Sequence, residues 1–168
     1  MAIVLLTSPS FIRNISNISN NITDKTIKPA IEEAQRFRLR PIVGETIYNK
    51  LIAEVADGSI ETDIVYKNLL DAAQYVIAYY AIASIVLFNY SKTDNIGNVT
   101  VTDDNTTSIG FSDTVSLSKL YEKKADAYAK DLQKYIIDNN LIGGDCQNLS
   151  SSASTSIWLG GYRGKKII

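Results

Sequence analysis

The stretch from Thr23 to Ala53, TDKTIKPAIEEAQRFRLRPIVGETIYNKLIA, contains the strongest structural signal in this sequence. Asp24 can cap the start of a helix, and Pro29 is then expected within roughly the first turn, where a missing N–H costs little. Apolar residues recur at positions i, i+3, i+4 and i+7, which places them on one helical face: Ile27, Ala30, Ile31 and Ala34. The pattern therefore predicts an amphipathic helix that begins near Asp24.

A proline elbow is expected to separate this helix from a second one. Arg40 precedes Pro41, and the residue before a proline is disfavoured in the α region, so the first helix should stop at Arg40. A second apolar series follows Gly44 and has the spacing of a helix with a buried face formed by Ile47, Leu51 and Val55. The stretch therefore predicts two short helices joined at an angle.

The order of these residues resembles that of small head–tail connector proteins of tailed bacteriophages. The resemblance rests on I-K-P-A-I-E-E-A-Q at 27–35 and L-R-P-I-V-G-E-T-I-Y at 39–48, and it extends by pattern over about residues 20–140. Similar sequences occur in the neck-ring proteins of phages that infect Bacteroidetes, including the crAss-like group. The resemblance implies a structural virion protein that attaches under the portal and extends the DNA channel toward the tail. It also implies a ring of about twelve subunits, which would match the portal.

Composition favours one globular domain and narrows the possible chemistry. The 168 residues are 45% apolar and 21% charged, which is ordinary for a folded domain with a single core. A net charge of −1 gives no overall basic field for sequence-independent binding to nucleic acid. The sequence has no histidine, the commonest general base and metal ligand, and Cys146 is the only cysteine. An intrachain disulfide is therefore excluded, and a structural zinc site is unsupported.

Two features lie on either side of the quoted stretch. At the N-terminus, Ala2–Leu6 is apolar but too short for a signal peptide, and it either pairs as a short strand or packs as an arm. Farther along, Asp63–Lys92 is the longest periodic run, and Thr62 or Asp63 can cap it. Its apolar residues begin as a stripe and then spread around the helix: Ile64, Leu69, Leu70, Ala73, Val76, Ile77, Tyr80, Ile85 and Phe88.

This long run also permits a membrane interpretation. No charge occurs from Ala72 to Ser91, and a membrane span needs about 20 apolar residues. Four tyrosines and the polar residues Gln74, Ser84 and Asn89 weaken that interpretation. We therefore predict a central helix buried on all sides, partly by neighbouring subunits.

The helical pattern breaks after this run, over about residues 94–112. Val99–Thr102 and Thr107–Gly110 flank Asp103–Thr106, which predicts a β-hairpin or an ordered loop. The interruption separates the long helix from the last helical pattern.

A last amphipathic helix is predicted over about Ser116–Asn139. Ser112 or Asp113 can cap its start, and Gly143-Gly144 is expected to end it. Its predicted buried face consists of Leu117, Leu120, Ala127, Tyr128, Leu132, Tyr135 and Ile136.

The C-terminal residues combine a serine-rich linker, Leu149–Thr155, with an aromatic tail. The tail contains Ile157, Trp158, Leu159, Tyr162 and Arg163, and tryptophan, tyrosine and arginine are typical anchors of interfaces. We interpret the tail as a contact with a neighbouring subunit or partner. Folding back into a groove of its own domain is the alternative.

The acidic and glycine-rich clusters are better explained without catalysis. Glu32 and Glu33 diverge by about 100° on a helix, so Glu32 is expected to pair with Arg36 instead of forming an acid–base pair. The Asp103–Asn105 loop lacks the glycine and distal glutamate of an EF-hand. Gly160–Lys166 lacks the spacing of a phosphate loop. We therefore expect no catalytic residue, no cofactor and no metal.

These observations predict a mainly α-helical, connector-type bundle of four or five helices with one hairpin or long loop. A helical domain is expected over residues 1–144, and a linker with an extended docking tail over 145–168. The proposed contacts with other subunits or partners are Val99, Val101, Ile109, Phe111, Ile157, Trp158, Leu159, Tyr162 and Arg163.

The resemblance further implies a location in the virion neck, and in the host cytoplasm during assembly. The implied partners are further copies of the chain, the portal and neighbouring neck or tail proteins. Genomic DNA would pass through the lumen without specific binding, and no membrane is involved. The alternative is a small non-viral helical interaction module that acts as an oligomeric adaptor.

Overall fold

The computed structural model describes residues 3–16, 22–94, 97–100 and 111–141, and this part of the chain is mainly α-helical. The π-helical turn Gln35–Leu39 joins α2 and α3 into one continuous rod, so the described residues contain five helical rods. The α-helices are α1 (Pro9–Ile15), α2 (Asp24–Ala34), α3 (Arg40–Val43), α4 (Glu45–Asp57), α5 (Ile64–Tyr90) and α6 (Phe111–Asp138), and a 3₁₀ turn covers Ser59–Glu61.

A short antiparallel strand pair follows α5. Strand β1 (Ser91–Asp94) pairs with β2 (Gly97–Thr100), with Ser91 opposite Thr100 and Asp94 opposite Gly97. The predicted pairing of Val99–Thr102 with Thr107–Gly110 stays a prediction, because residues 101–110 lie outside the described residues.

The predicted buried face of α2 is confirmed, whereas the expected details of its start are wrong. Ile27, Ala30, Ile31 and Ala34 are all buried. Thr23 is the N-cap, because its carbonyl accepts the first helical N–H bonds, and Asp24 is the first helical residue. Pro29 consequently lies inside the helix, past the first turn.

The expected stop at Arg40 is wrong, because the helix continues through Pro41. Arg40 has α-helical angles (φ −53°, ψ −45°), and its N–H bonds to the carbonyl of Gln35, five residues earlier. In a regular α-helix the ring of Pro41 would clash with the carbonyl of Phe37. The wider π-helical turn provides an extra residue at this point, which we take as the reason why the proline is accommodated.

The angle between α3 and α4 is set at Gly44. This residue has φ +84° and ψ 159°, a conformation essentially restricted to glycine. In α4, Ile47 and Leu51 are buried and Val55 is half-buried, which confirms the predicted face. Gly58 then ends α4 in the left-handed region (φ +80°), a conformation that glycine adopts without strain.

Helix α5 is the centre of the domain, and Asp63 caps it by accepting the N–H groups of Val65 and Tyr66. Helices α2 and α6 of the same chain pack against it. The prediction that neighbouring subunits help to bury this helix therefore applies at most to the side chains that α2 and α6 leave exposed. Ile64 and Phe88, which we expected in the apolar stripe, are exposed at its two ends. The fully buried residues are Leu69, Ala73, Val76, Ile77, Ala78, Ala81, Ile82 and Ile85.

Helix α6 runs antiparallel to α5 and starts at Phe111, earlier than predicted. Leu132 and Ile136 are buried as expected, but Leu117, Leu120, Ala127 and Tyr128 are exposed, so most of the predicted face is wrong. The packed face instead uses small residues, which allow close approach to α5. The Ser118 hydroxyl, for example, donates a 3.0 Å hydrogen bond to the Ala83 carbonyl. The other members of the packed face are Thr114, Ala125 and Ala129.

The end of α6 is also different from the prediction. Asn140 adopts a left-handed conformation (φ 50°), and the N–H of Leu141 bonds to the carbonyl of Ile136, while the N–H of Asn140 bonds to that of Ile137. These bonds form a Schellman motif, in which asparagine can replace glycine. The helix therefore ends before Gly143-Gly144, and the predicted tail lies outside the described residues.

Candidate functional site

The N-terminal residues pack as an arm that is held by two glutamine side chains. Gln35, which is only 1% exposed, accepts the Leu6 N–H (3.1 Å) through its side-chain oxygen and donates to the Val4 carbonyl (3.0 Å). Gln74 on α5 donates to the Leu6 carbonyl (3.0 Å). Gln35 thus bonds to two arm residues that are two positions apart, as a neighbouring strand would. Of the two possibilities that the sequence left open, the structure has the packed arm.

An open groove of about 700 Å³ lies beside this arm. Phe37, whose side chain is 70% exposed, stands at the groove, together with the exposed Ile3 of the arm. Tyr48 and Ile52 of α4 form part of the opposite wall. The volume falls within the range of sites that bind small molecules. The groove is therefore the principal candidate binding site in the described residues.

The arginines at the groove are neutralised by ion pairs. Arg36 lies 3.3 Å from Glu32, as the sequence predicted, and Arg40 is paired with Glu45 through a bond of 2.6 Å. The hydrogen bond from Arg40 lowers the pKa of Glu45, and the same contact raises the pKa of Arg40. Burial raises the pKa of Tyr48 in the wall. The groove is thus apolar with a neutralised rim.

Two flanks of the α5–α6 pair expose apolar side chains. Glu122 of α6 is 3.7 Å from Arg38, and Asp126 accepts a 2.5 Å hydrogen bond from Tyr80. Both acidic residues therefore lie on the same side of the α5–α6 pair, which forms the first flank. Leu87 and Phe88 (57% exposed) lie about two turns beyond Tyr80 on α5 and extend this side toward the strand pair. We call Leu87 and Phe88 the Phe88 flank.

The other flank carries an aromatic row across the seam of the two helices. Tyr128 stacks between Tyr75 and Tyr79, with ring centroids 5.2 and 5.3 Å away, and Phe11 of α1 meets the edge of Tyr75. Tyr121 continues the row on α6. Leu117 and Leu120 (50% exposed) extend it outward. We call Leu117, Leu120 and Tyr128 the Leu120 flank.

Of the predicted contact residues, only Phe111 has a described side chain. It is exposed at the start of α6. Val99 lies in β2, and its side chain is outside the described part. Val101, Ile109 and the five tail residues Ile157, Trp158, Leu159, Tyr162 and Arg163 also lie outside it. Nothing in the sequence marks Phe37, Leu87, Leu117 and Leu120 as exposed apolar residues, since their spacing also fits a buried face.

The bond between Tyr80 and Asp126 predicts a loss of stability at high pH. Burial first, and then this hydrogen bond, raise the pKa of Tyr80 from 10.0 to about 12. The folded state therefore holds the phenol proton more tightly than the unfolded chain does. This contribution is fully present below the unfolded pKa and is lost as the pH rises through the folded one.

In denaturant unfolding, we expect the wild type to lose more free energy of unfolding than Tyr80→Phe as the pH rises from neutral to about 11. All other ionisable groups are common to the two proteins, so their effects cancel in the comparison. Equal losses in the two proteins would show that the Tyr80–Asp126 bond has no such effect.

The acidic side chains of the described residues do not form a metal-binding cluster. No group of three or more His, Cys, Asp or Glu side chains there could hold a metal ion. One oxygen of Glu54 is buried without a hydrogen-bond partner, while the other lies 3.3 Å from Lys50. Lys50 in turn lies 3.6 Å from the Tyr66 ring centroid. We interpret this cluster as joining α4 to the start of α5.

One described helix is long and apolar enough to cross a membrane, namely Ile64–Phe88 of α5. The core helix of a soluble domain passes the same test, and 56% of the apolar window is buried inside the domain. This burial favours the core interpretation over a membrane span.

Comparisons with known proteins give one match. No curated protein and no solved structure matches the chain. Residues 39–142 match the model of the DUF6712 family, which is described as a family of unknown function. The match begins in the π-helical turn and includes α3 to α6, so it covers both flanks and the α4 wall of the groove but not the arm. Because it spans more than half of the 168 residues, the chain belongs to the DUF6712 family.

Proposed function

We propose that the protein is a structural subunit of a head–tail connector ring in a tailed phage. The ring would attach under the portal and extend the DNA channel toward the tail. The sequence resemblance at 27–35 and 39–48 suggests this role, and the two different apolar flanks of the α5–α6 pair are the observation that supports it best. In this proposal the protein is not an enzyme and needs no cofactor.

A closed ring requires two unlike surfaces on every subunit. Head-to-tail interfaces repeat one contact around the ring, so the surface on one side of a subunit must fit a different surface on the other. The Phe88 flank exposes Leu87 and Phe88, about two turns along α5 from Tyr80, over whose ring Arg38 lies while paired with Glu122. The Leu120 flank instead combines aliphatic side chains with stacked tyrosines. Each could therefore face the other across a subunit boundary.

The remaining parts of the proposal concern partners and location. The near-neutral net charge of −1 suits a conduit through which DNA passes without being held. Because α5 is largely covered by helices of its own chain, we propose an aqueous setting in the virion neck, without a membrane. The connector-type arrangement, a ring of about twelve subunits, and contacts of the tail with the portal or neighbouring neck proteins belong to the same proposal.

The experiment combines light scattering and negative-stain microscopy, with and without the portal. We expect wild-type protein to form closed rings at high concentration or on the portal. Phe88→Asp and Leu120→Asp should each prevent ring closure, because each places a charge within an apolar contact. Ile64→Asp is the matched control: Ile64 is more exposed than Phe88 (73% against 57%), but it lies about 36 Å from Phe88 along the same helix.

A mixture of the two variants tests the head-to-tail geometry directly. Phe88→Asp keeps an intact Leu120 flank, and Leu120→Asp keeps an intact Phe88 flank. Together they should form heterodimers that cannot grow, whereas each variant alone stays monomeric. A symmetric contact of Phe88 with Phe88 would instead let Leu120→Asp form dimers alone, and the mixture would contain only these homodimers. Wild-type protein that remains monomeric even with the portal would refute the ring. Rings that form but do not bind the portal would favour the non-viral adaptor.

A further inference from the structure

We propose that the aromatic tail Ile157–Arg163 docks intramolecularly as an added strand along the N-terminal arm, with Trp158 in the groove beside Phe37. The docking site is the outer edge of the arm together with the groove. This inference concerns the isolated subunit and does not depend on ring formation.

The arm has an outer backbone edge to which no described residue bonds at Leu5. Gln35 holds the Val4 carbonyl and the Leu6 N–H on the inner side. Gln35 bonds to residues 4 and 6, and backbone groups of alternate residues in an extended segment point to opposite sides, so we infer that those of Leu5 point away from Gln35. Among the described residues, no hydrogen-bond partner occurs for the Leu5 backbone. Such an edge accepts a further extended segment through main-chain hydrogen bonds.

The groove supplies the side-chain part of the site. Phe37 is 70% exposed, although it stands next to an open volume of about 700 Å³ walled by Tyr48 and Ile52. In strand addition, alternate side chains of the added segment enter such a pocket. A tryptophan suits this site, because it buries about 150–250 Å² and stacks favourably with another aromatic ring. Trp158 is the only tryptophan of the chain.

The tail can reach this site from the point where the described chain ends. The Tyr135 hydroxyl bonds to the Val65 carbonyl (3.0 Å), so the end of α6 lies beside the start of α5. Lys50 of α4 contacts Asp63 and Tyr66 at the same start of α5. Ile52, two residues farther along α4, lines the groove, so the groove lies near the end of α6. Residues 142–156 can span about 50 Å when extended, which exceeds the roughly 40 Å width of a domain of this size.

Tethering and charge both permit docking within one chain. A short linker gives an effective concentration in the millimolar range, above the micromolar concentration of a second copy in dilute solution. The tail is basic, with Arg163, Lys165 and Lys166. It meets little repulsion, because Arg36 and Arg40 at the groove are already paired with Glu32 and Glu45.

The fluorescence of Trp158 in the full-length chain tests the docking. At low micromolar concentration we expect blue-shifted emission that is protected from acrylamide. Phe37→Ala should shift the emission to the red and remove the protection, while the circular dichroism of the helices stays unchanged because Phe37 is mostly exposed. Phe111→Ala is the matched control, since it removes an exposed phenylalanine at the far end of α6. It should leave the emission as in the wild type.

Photo-crosslinking identifies the occupant independently. A benzophenone amino acid at position 37 should crosslink to the tail peptide within a monomer, whereas the same group at position 120 should not. Solvent-exposed Trp158 in the wild type, or protection that Phe37→Ala leaves intact, would overturn the proposal. Crosslinked dimers with concentration-dependent protection would overturn it as well, because the groove would then hold the tail of a second copy.

Discussion

Replacing Gln35 with alanine is expected to lower the free energy of unfolding by about 2–4 kcal/mol. The side chain is almost fully buried and makes hydrogen bonds with both the Leu6 N–H and the Val4 carbonyl. Its removal leaves a buried N–H without a partner, which alone costs about 1–3 kcal/mol. The truncated side chain also leaves a cavity next to the arm. Denaturant unfolding followed by far-UV circular dichroism measures the loss.

Gln74→Ala provides a graded comparison for the same arm. Gln74 makes a single bond to the Leu6 carbonyl, and an unpaired carbonyl is less costly than an unpaired N–H, because carbonyls are more often left without a full set of partners. We expect a smaller loss, of about 1 kcal/mol. If Gln35→Ala costs no more than Gln74→Ala, the arm is not held mainly through Gln35.

Replacing Ala125 with leucine is expected to destabilise the domain by about 1–3 kcal/mol or more. Ala125 is fully buried on the face of α6 that packs against α5, about two turns along the helix from Ser118, whose hydroxyl bonds to the Ala83 carbonyl. A leucine at this position cannot fit without separating the two helices or forcing strained side-chain conformations.

Ala127→Leu is the matched control, because it makes the same substitution two residues away on the same helix. Ala127 is exposed, so we expect a change within about 0.5 kcal/mol. The comparison of the two melting curves decides which face of α6 packs against α5. A large loss for Ala127→Leu with a small one for Ala125→Leu would restore the face that the spacing of leucines and tyrosines predicted.

The candidate site shows where reasoning from the sequence fails. Phe37, Phe88 and Leu120 have the spacing of core residues, and only the arrangement of neighbouring helices leaves them exposed. The hydrogen bonds of Gln35 to the arm join residues about 30 positions apart in the sequence. The residues next to a glutamine in the sequence do not indicate that it makes such a contact. Phe111, in contrast, was expected at a surface because it borders an interruption of the helical pattern.

The sequence by itself determined the features that depend on near neighbours along the chain. These are the helical face of Ile27 and Ile31, the cap at Asp63, the turn at Gly58 and the ion pair of Glu32 with Arg36. Each follows from spacing within about one helical turn or from the conformational preference of one residue.

Only the tertiary structure decided the path of the chain at Pro41 and the packed face of α6. The proline is tolerated because a π-helical turn precedes it, and that turn also places Gln35 against the arm. On α6, Ala125 and Ala129 are buried while Leu117 and Leu120 are not. Close approach of α6 to α5 requires small side chains in the contact. The free energy gained by close packing of the two helices is therefore larger than the free energy that burying Leu117 and Leu120 would have provided.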